Sequence, residues 1–125
     1  MVNSNLMRIV CIKNYCEEIK EFIDRIDHNR EVFMEDSMVF RAISMNILQI
    51  GEHASGLSDD YRKRTGEVVP WNSIRGMRNI LTHNYGVVDY DMVWNTAVND
   101  IPKLLDFCNR ELSAHQRQKT DRDAR

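Results

Sequence analysis

The spacing of the apolar residues constrains this chain more than any other feature, because they recur at steps of three and four. From Leu6 to Ile26 this spacing places the apolar side chains along one face of a helix. The segment from Met38 to Leu57 repeats the pattern, and Asp36 or Ser37 precedes it as a candidate N-cap. No stretch of the sequence shows the strict alternation that is typical of a half-buried strand. The sequence therefore predicts an all-α protein.

The middle of the chain contains residues that start and stop helices. A short helical turn that Ser58 opens is predicted from Leu57 to Arg64, and Thr65-Gly66 should end it. Pro70-Trp71 then begins a third long helix, because proline is tolerated in a first helical turn. That helix is predicted to continue to about Tyr85 and to end at the glycine that follows.

The last third of the chain predicts one more long helix. Asp89 is a suitable N-cap for it, and Pro102 should remove one backbone hydrogen bond and bend it. The segment from Ala114 to Arg125 is polar and is predicted to be a disordered tail. The predicted architecture is an antiparallel helical bundle of four main helices plus a short helical turn, with one domain at residues 1–113 and the tail at 114–125.

Composition limits the classes of protein that this chain can belong to. Its 125 residues suffice for one hydrophobic core, and it has no apolar run long enough for a membrane span and no signal-peptide pattern. The three cysteines are odd in number and lack CxxC spacing, which favours a reducing cytoplasm over a disulfide framework. No group of His, Cys or acidic residues has metal-ligand spacing, so neither a metal nor another cofactor is predicted.

The distribution of charge is uneven. The net formal charge of −2 gives no overall basic field that would attract nucleic acid. Between Tyr61 and Tyr85, however, five basic side chains stand against the single acidic residue Glu67. The basic run Arg62-Lys63-Arg64 within this region fits either a solvated turn or a contact to an RNA backbone.

The segment from Arg78 to Tyr85 concentrates residues that could carry chemistry. RNA cleavage without a metal needs a base, an acid and a cation that stabilises the charge on phosphorus. His83 can be acid or base near neutral pH, and Arg78 can bind phosphate oxygens in a bidentate way. One motif histidine in each chain is too few for both proton transfers, which favours a two-fold dimer.

A structural explanation of the same residues is the alternative. A five-residue step turns a regular helix by about 140°, so Arg78 and His83 would not share a face unless the last turn is distorted. Tyr85 could be a packing aromatic at a helix end. The remaining histidines and both tryptophans are expected to be structural or solvated, with the tryptophans as core anchors: His28, His53, His115, Trp71 and Trp94.

With these residues in view, the chain resembles the HEPN superfamily, and specifically its HepT-like branch of toxin ribonucleases encoded beside a minimal nucleotidyltransferase. Arg78, His83 after four intervening residues, and Tyr85 match the motif of that family, and Asn79 supplies the polar residue that usually follows the arginine. The flanking residues agree over nearly the whole chain, namely Ile50-Gly51-Glu52, Pro70-Trp71, Gly76-Met77, Val93-Trp94 and Asp100-Ile101-Pro102.

The resemblance implies a metal-independent endoribonuclease toxin that cleaves RNA at the cleft of a homodimer in the cytoplasm. Arg78 and His83 would be the catalytic pair, and Asn79 would support their orientation or the phosphate. The resemblance also implies that Tyr85 is adenylylated by a cognate nucleotidyltransferase antitoxin. A bulky anionic nucleotide at that position would block the cleft and repel RNA phosphates.

Several alternatives remain open at the level of sequence. The same dimer could bind a nucleotide or a partner without cleaving anything, or it could be a helical dimer whose site has decayed, although the intact motif argues against decay. Asn84 replaces the aspartate of many relatives, and Gly86-Val87-Val88 replaces an aromatic before the glycine, which leaves substrate preference open. Gly51 is expected to allow a close approach of two helices. Glu52 could be a packing residue or a partner of the catalytic residues.

Overall fold

The helices of the protein are defined by a computed structural model that describes residues 4–83 and 89–123. Their bounds are α1 Ser4–Arg25, α2 Arg30–Glu35, α3 Ser37–Gly56, α4 Asp59–Thr65, α5 Trp71–His83, α6 Tyr90–Asn95 and α7 Ile101–Asp123, with a π-helical segment, Thr96–Asp100, joining α6 to α7. The all-α prediction is confirmed. The four main helices are α1, α3, α5 and the continuous helix that α6, the π-helical segment and α7 form together.

Helix α3 lies between α1 and α5, and α1 packs in turn against α7. The start of α1 lies beside the end of α3, where Asn5 Nδ2 donates to Ser58 Oγ (3.1 Å) and Ser58 N donates to Asn5 Oδ1 (3.0 Å). Further along α1, Glu18 Oε1 accepts a hydrogen bond from Nδ2 of Asn46, which lies earlier in α3 (2.9 Å). Helices α1 and α3 are therefore antiparallel, as predicted.

The core follows the predicted apolar stripes. Helix α1 buries Ile9, Ile12, Cys16, Ile19 and Ile23, which are the residues spaced at three and four along its inner face. Trp71 and Trp94 are both buried, in agreement with their predicted role as core anchors. The indole of Trp71 donates through Nε1 to Thr65 Oγ1 (2.8 Å), so burial leaves its polar atom satisfied. All three cysteines are free thiols.

The predicted caps agree with the structure. Asp36 rather than Ser37 caps α3, because its carboxylate accepts from the backbone N–H groups of Met38 (3.0 Å) and Val39 (3.1 Å). Ser58 caps α4 through Tyr61 N (3.2 Å), and Asp89 caps α6. Each side-chain oxygen satisfies a backbone donor that a helix start would otherwise leave without a partner.

Helix α2 was not predicted from the sequence. Asn29 caps it by accepting from Val32 N (3.1 Å), and Phe33 is its buried residue. A six-residue helix is too short to show an apolar period. Its stability comes instead from the burial of Phe33 against Phe40 and Trp94, at ring centroid distances of 6.1 and 5.3 Å.

The final helix differs from its prediction at two places. The π-helical segment ends two residues before Pro102, and Ile101 N donates to Thr96 O. Proline has no N–H, and in an α-helix its ring would collide with the carbonyl four residues earlier. A change of helical register therefore accompanies Pro102.

Further on, residues 114–123 are helical rather than the predicted disordered tail, since good helix formers fill them and no glycine or proline follows Pro102. The domain boundary at residue 113 remains a prediction.

None of the helices in the described part of the chain combines the length and apolarity that crossing a membrane requires.

Helices α3 and α5 approach each other closely at Gly51. A Cβ atom at this position would lie 2.3 Å from Arg78 Cβ and 3.4 Å from Arg78 Cα. The space for a side chain is therefore already taken by the neighbouring helix, and Gly51 is buried. The predicted role of Gly51 in helix approach is supported by this geometry.

Replacing Gly51 with alanine should therefore destabilise the protein, because α5 must move away from α3. We expect Gly51→Ala to lower the free energy of unfolding by about 1–3 kcal/mol, the usual cost of overpacking. Gly76→Ala is the matched control, since nothing lies within 4 Å of a Cβ there, and it should stabilise α5 by about 0.5–1 kcal/mol. Urea unfolding followed by circular dichroism measures both. Equal effects of the two substitutions would contradict the close approach.

Candidate active site

Arg78, one of the two predicted catalytic residues, is held by side-chain contacts to Glu52 and Asn79. Its Nε donates to Glu52 Oε1 (2.6 Å), and its Nη2 forms an ion pair with the same carboxylate. Its Nη1 donates to Asn79 Oδ1 (3.0 Å). Two of the three predicted site residues that the structure describes, Arg78 and Asn79, are thus in direct contact, and the supporting role of Asn79 remains a prediction.

Glu52 is the residue that the sequence left ambiguous between packing and support of the site. Its carboxylate lies on α3 directly opposite the Arg78 guanidinium, so Glu52 contacts a predicted catalytic residue. The side chains of Glu52 and Arg78 are 44% and 30% exposed. Such a half-exposed pair contributes at most about 1 kcal/mol to stability, so its main effect is on the position of the arginine.

His83 is the last residue of α5 and is exposed. Helix α5 is regular from Trp71 to His83, without the distortion that would bring Arg78 and His83 together. The five-residue step therefore directs the two side chains about 140° apart within one protomer. The structure does not join them in a single chain.

Tyr85, the predicted site of modification, lies outside the described residues, as do Asn84 and Gly86. The predicted end of the third helix at Gly86 falls in the same segment.

His53 follows Glu52 on α3 and faces α1. Its Nδ1 lies 3.3 Å from Arg8 Nη1, and its ring centroid lies 6.0 Å from that of Tyr15. Burial lowers the pKa of His53, and the positive charge of Arg8 lowers it further, while Glu52 raises it. The neutral imidazole that results can accept a hydrogen bond from the arginine. No pattern in the sequence indicates this contact, because Arg8 is one of several polar residues along α1.

Arg62 has a structural role instead of the RNA contact or solvated turn that the basic run suggested. Its Nη1 donates to the backbone carbonyls of Ala54 (3.1 Å), Ser55 (3.1 Å) and Leu57 (2.6 Å). These carbonyls are at the C-terminus of α3, where the helix itself supplies no donors. Lys63 and Arg64 are exposed, and Arg64 lies over the ring of Tyr61 at 5.2 Å.

Across residues 4–83 and 89–123, no three His, Cys, Asp or Glu side chains converge in a way that could hold a metal ion. The role or absence of a metal in the reaction remains a prediction.

Comparison with known proteins identifies the class of protein to which this fold and site belong. The family model described as "Ribonuclease HepT-like" matches residues 12–111 of the chain. This match includes α3, α5 and every predicted catalytic residue. The chain belongs to the ribonuclease HepT-like family, within the HEPN superfamily.

Individual relatives agree with this assignment. The chain is 33% identical over 87 residues to a Methanocaldococcus jannaschii protein named "Putative RNase MJ1380", a match that covers 70% of this chain and 77% of that protein. It is 33% identical over 97 residues to the "Probable ribonuclease HepT" of Thermococcus cleftensis, covering 74% and 87% of the two chains. A similar protein of Caldanaerobacter subterraneus subsp. tengcongensis, "Putative RNase TTE0752", is 32% identical over 94 residues, or 74% and 83% of the two chains. No solved structure matches this chain significantly.

The pKa of His53 provides a test of the geometry around Glu52 and Arg8. We expect His53 to titrate below the ordinary value for histidine, because burial and the charge of Arg8 both disfavour the imidazolium. Arg8→Ala should raise this pKa, whereas Glu52→Gln should lower it further, since the carboxylate stabilises the charged ring. NMR titration of the imidazole carbon signals measures all three values. A pKa that does not respond to Arg8→Ala would contradict the contact.

Proposed function

We propose that this protein is a metal-independent endoribonuclease toxin of a HEPN and nucleotidyltransferase toxin-antitoxin pair, acting in the cytoplasm at a cleft between two copies of the chain. The observation that carries the proposal is the Arg78 guanidinium, which Glu52 and Asn79 fix in position. It lies on the helix that ends at the exposed His83, in a chain of the ribonuclease HepT-like family.

The guanidinium retains donors for a phosphate. Arginine has five N–H groups, of which Nε and one on each terminal nitrogen face Glu52 or Asn79. One N–H on each terminal nitrogen therefore remains, which is the pair that binds two phosphate oxygens in a bidentate way. Because the side chain is already fixed, little rotamer entropy is lost when RNA binds.

The proposed reaction needs no group beyond these side chains and the RNA. The ribose 2′-oxygen attacks the adjacent phosphorus and loses its proton to a neutral imidazole. The bond from phosphorus to the 5′-oxygen breaks, and an imidazolium donates a proton to that oxygen. Arg78 stabilises the negative charge on phosphorus. The products are a 2′,3′-cyclic phosphate and a 5′-hydroxyl.

Two imidazoles are required, and one chain offers a single motif histidine. The separation of about 140° between Arg78 and His83 around α5 supports a composite cleft in which each chain contributes one arginine and one histidine. A two-fold axis brings the same surface of both protomers together, so the end of α5 would face its own copy. The proposal therefore includes a homodimer.

Alanine substitution of either catalytic residue should abolish cleavage while the fold is retained. We expect Arg78→Ala and His83→Ala each to lower the rate of cleavage of single-stranded RNA by about 10²-fold or more, the usual contribution of a proton-transfer group or a charge-stabilising donor. His115→Ala is the matched control, because it removes a histidine of α7 and should leave the rate unchanged. Cleavage is followed by gel electrophoresis, and folding by circular dichroism.

Three further results of the same assay would decide the details. Cleavage that persists in excess EDTA and yields cyclic phosphate ends supports the mechanism, whereas activity that returns only with magnesium contradicts it. Mixing the two inactive variants should not restore the activity, because their heterodimer holds one arginine and a single histidine, whereas the proposed reaction requires two imidazoles. Wild-type protein that binds RNA or nucleotide as a dimer without cleaving it would favour the non-catalytic alternative.

Regulation at Tyr85 is the last part of the proposal. We expect the cognate nucleotidyltransferase to attach AMP to the hydroxyl of Tyr85, two residues after His83, and the added phosphate to compete with RNA for Arg78. Tyr85→Phe keeps the ring and removes the acceptor hydroxyl, so this variant should remain active and escape inhibition by the partner enzyme and ATP. Mass spectrometry should detect the added nucleotide on the wild type only. Full inhibition of Tyr85→Phe without a mass shift on the wild type would contradict the switch.

A further inference from the structure

A second arginine lies against α3, on a different flank from Arg78. Arg8 of α1 is half-buried, and its guanidinium covers the backbone of Gly56, where a Cβ atom would fall 2.1 Å from Arg8 Cζ. His53 fixes the same guanidinium through the 3.3 Å contact between Nδ1 and Nη1. The position of Arg8 is thus set by a glycine and by a hydrogen-bond acceptor, as the position of Arg78 is set by Gly51 and Glu52.

The charge environments of the two arginines differ. Arg78 is paired with the carboxylate of Glu52, whereas the hydrogen-bond partner of Arg8 is a ring. Burial and Arg8 itself lower the pKa of His53, so this ring is neutral at neutral pH. In the described part of the chain no carboxylate forms an ion pair with Arg8. Arg8 therefore presents a fixed positive charge that its protein partner does not neutralise.

The placement of the two arginines follows from their partners on α3. Glu52 and His53 are consecutive, and successive residues of an α-helix point about 100° apart. The two guanidinium groups therefore lie on different flanks of α3. An RNA strand that crosses α3 from one flank to the other can place one phosphate at each arginine.

We propose that Arg8, positioned by Gly56 and His53, binds a second backbone phosphate of the RNA strand whose scissile phosphate Arg78 binds. This inference rests on the proposed ribonuclease function and adds a second point of attachment for the strand. A phosphate contact of this kind fixes the register of the strand without reading its sequence. It also gives the polyanion a local positive charge on a chain whose net formal charge is −2.

Binding of a non-cleavable RNA tests the site directly. Single-stranded RNA with 2′-O-methyl groups throughout is titrated with the full chain by fluorescence anisotropy at several salt concentrations. We expect Arg8→Ala to weaken binding about tenfold, and to lower the slope of log K against log salt by about 0.7, the value for one phosphate contact on a single strand. Arg110→Ala removes an exposed arginine of α7 and should change neither quantity.

A second variant separates a built site from a general effect of charge. Gly56→Ala keeps the net charge but places a methyl group where the Arg8 guanidinium lies, and this flexible end of the side chain can move aside without unfolding the protein. It should weaken RNA binding as Arg8→Ala does. If Arg8→Ala weakens binding and Gly56→Ala does not, the positioned site is wrong.

Substrate length distinguishes failure of this inference from failure of the proposed function. A dinucleotide reaches Arg78 alone, so its cleavage should be unaffected by Arg8→Ala, whereas cleavage of an eight-nucleotide RNA should show a higher KM with an unchanged kcat. Wild-type protein that cleaves both substrates, with KM values that do not respond to Arg8→Ala or Gly56→Ala, overturns the second phosphate site and leaves the ribonuclease intact. Wild-type protein that neither binds nor cleaves RNA overturns both.

Discussion

The close approach of α3 and α5 at Gly51 is the constraint on which the rest of this structure depends. Because Gly51 has no side chain, the Cβ and Cγ atoms of Arg78 occupy the space beside it. This contact sets the distance between the two helices and brings the Arg78 guanidinium within reach of Glu52, one residue further along α3. The direction of α5, and with it the position of His83 at its end, follows from the same contact.

The ion pair between Glu52 and Arg78 matters for geometry more than for stability. Both side chains are partly exposed, so water screens their attraction and the gain in folding free energy is small. The pair nevertheless removes rotamer freedom from a long side chain, and that loss of entropy would otherwise oppose phosphate binding. An acidic residue beside the arginine that we propose to bind RNA is thus compatible with that role, provided that donors of the guanidinium remain free.

The sequence predicted the long helices well because their signals are local. Apolar spacing marked α1 and α3, and side-chain caps at Asp36, Ser58 and Asp89 marked helix starts. The same signals missed helix α2 and the helical structure of residues 114–123. Helix α2 is too short to show a period, and residues 114–123 are polar yet contain no helix breaker. The π-helical segment before Pro102 accommodates a proline that the sequence predicted would bend the helix.

The sequence by itself determined the all-α class, the family and the motif residues Arg78, Asn79 and His83, since these depend on residue types at short spacings. Only the tertiary structure decided what those residues contact. Arg78 pairs with a carboxylate 26 positions away, and Arg8 with a histidine 45 positions away. Such contacts depend on how each helix is rotated against its neighbour, and that rotation is fixed by close packing at glycines in α3, where no local pattern specifies which side chain will fill the space.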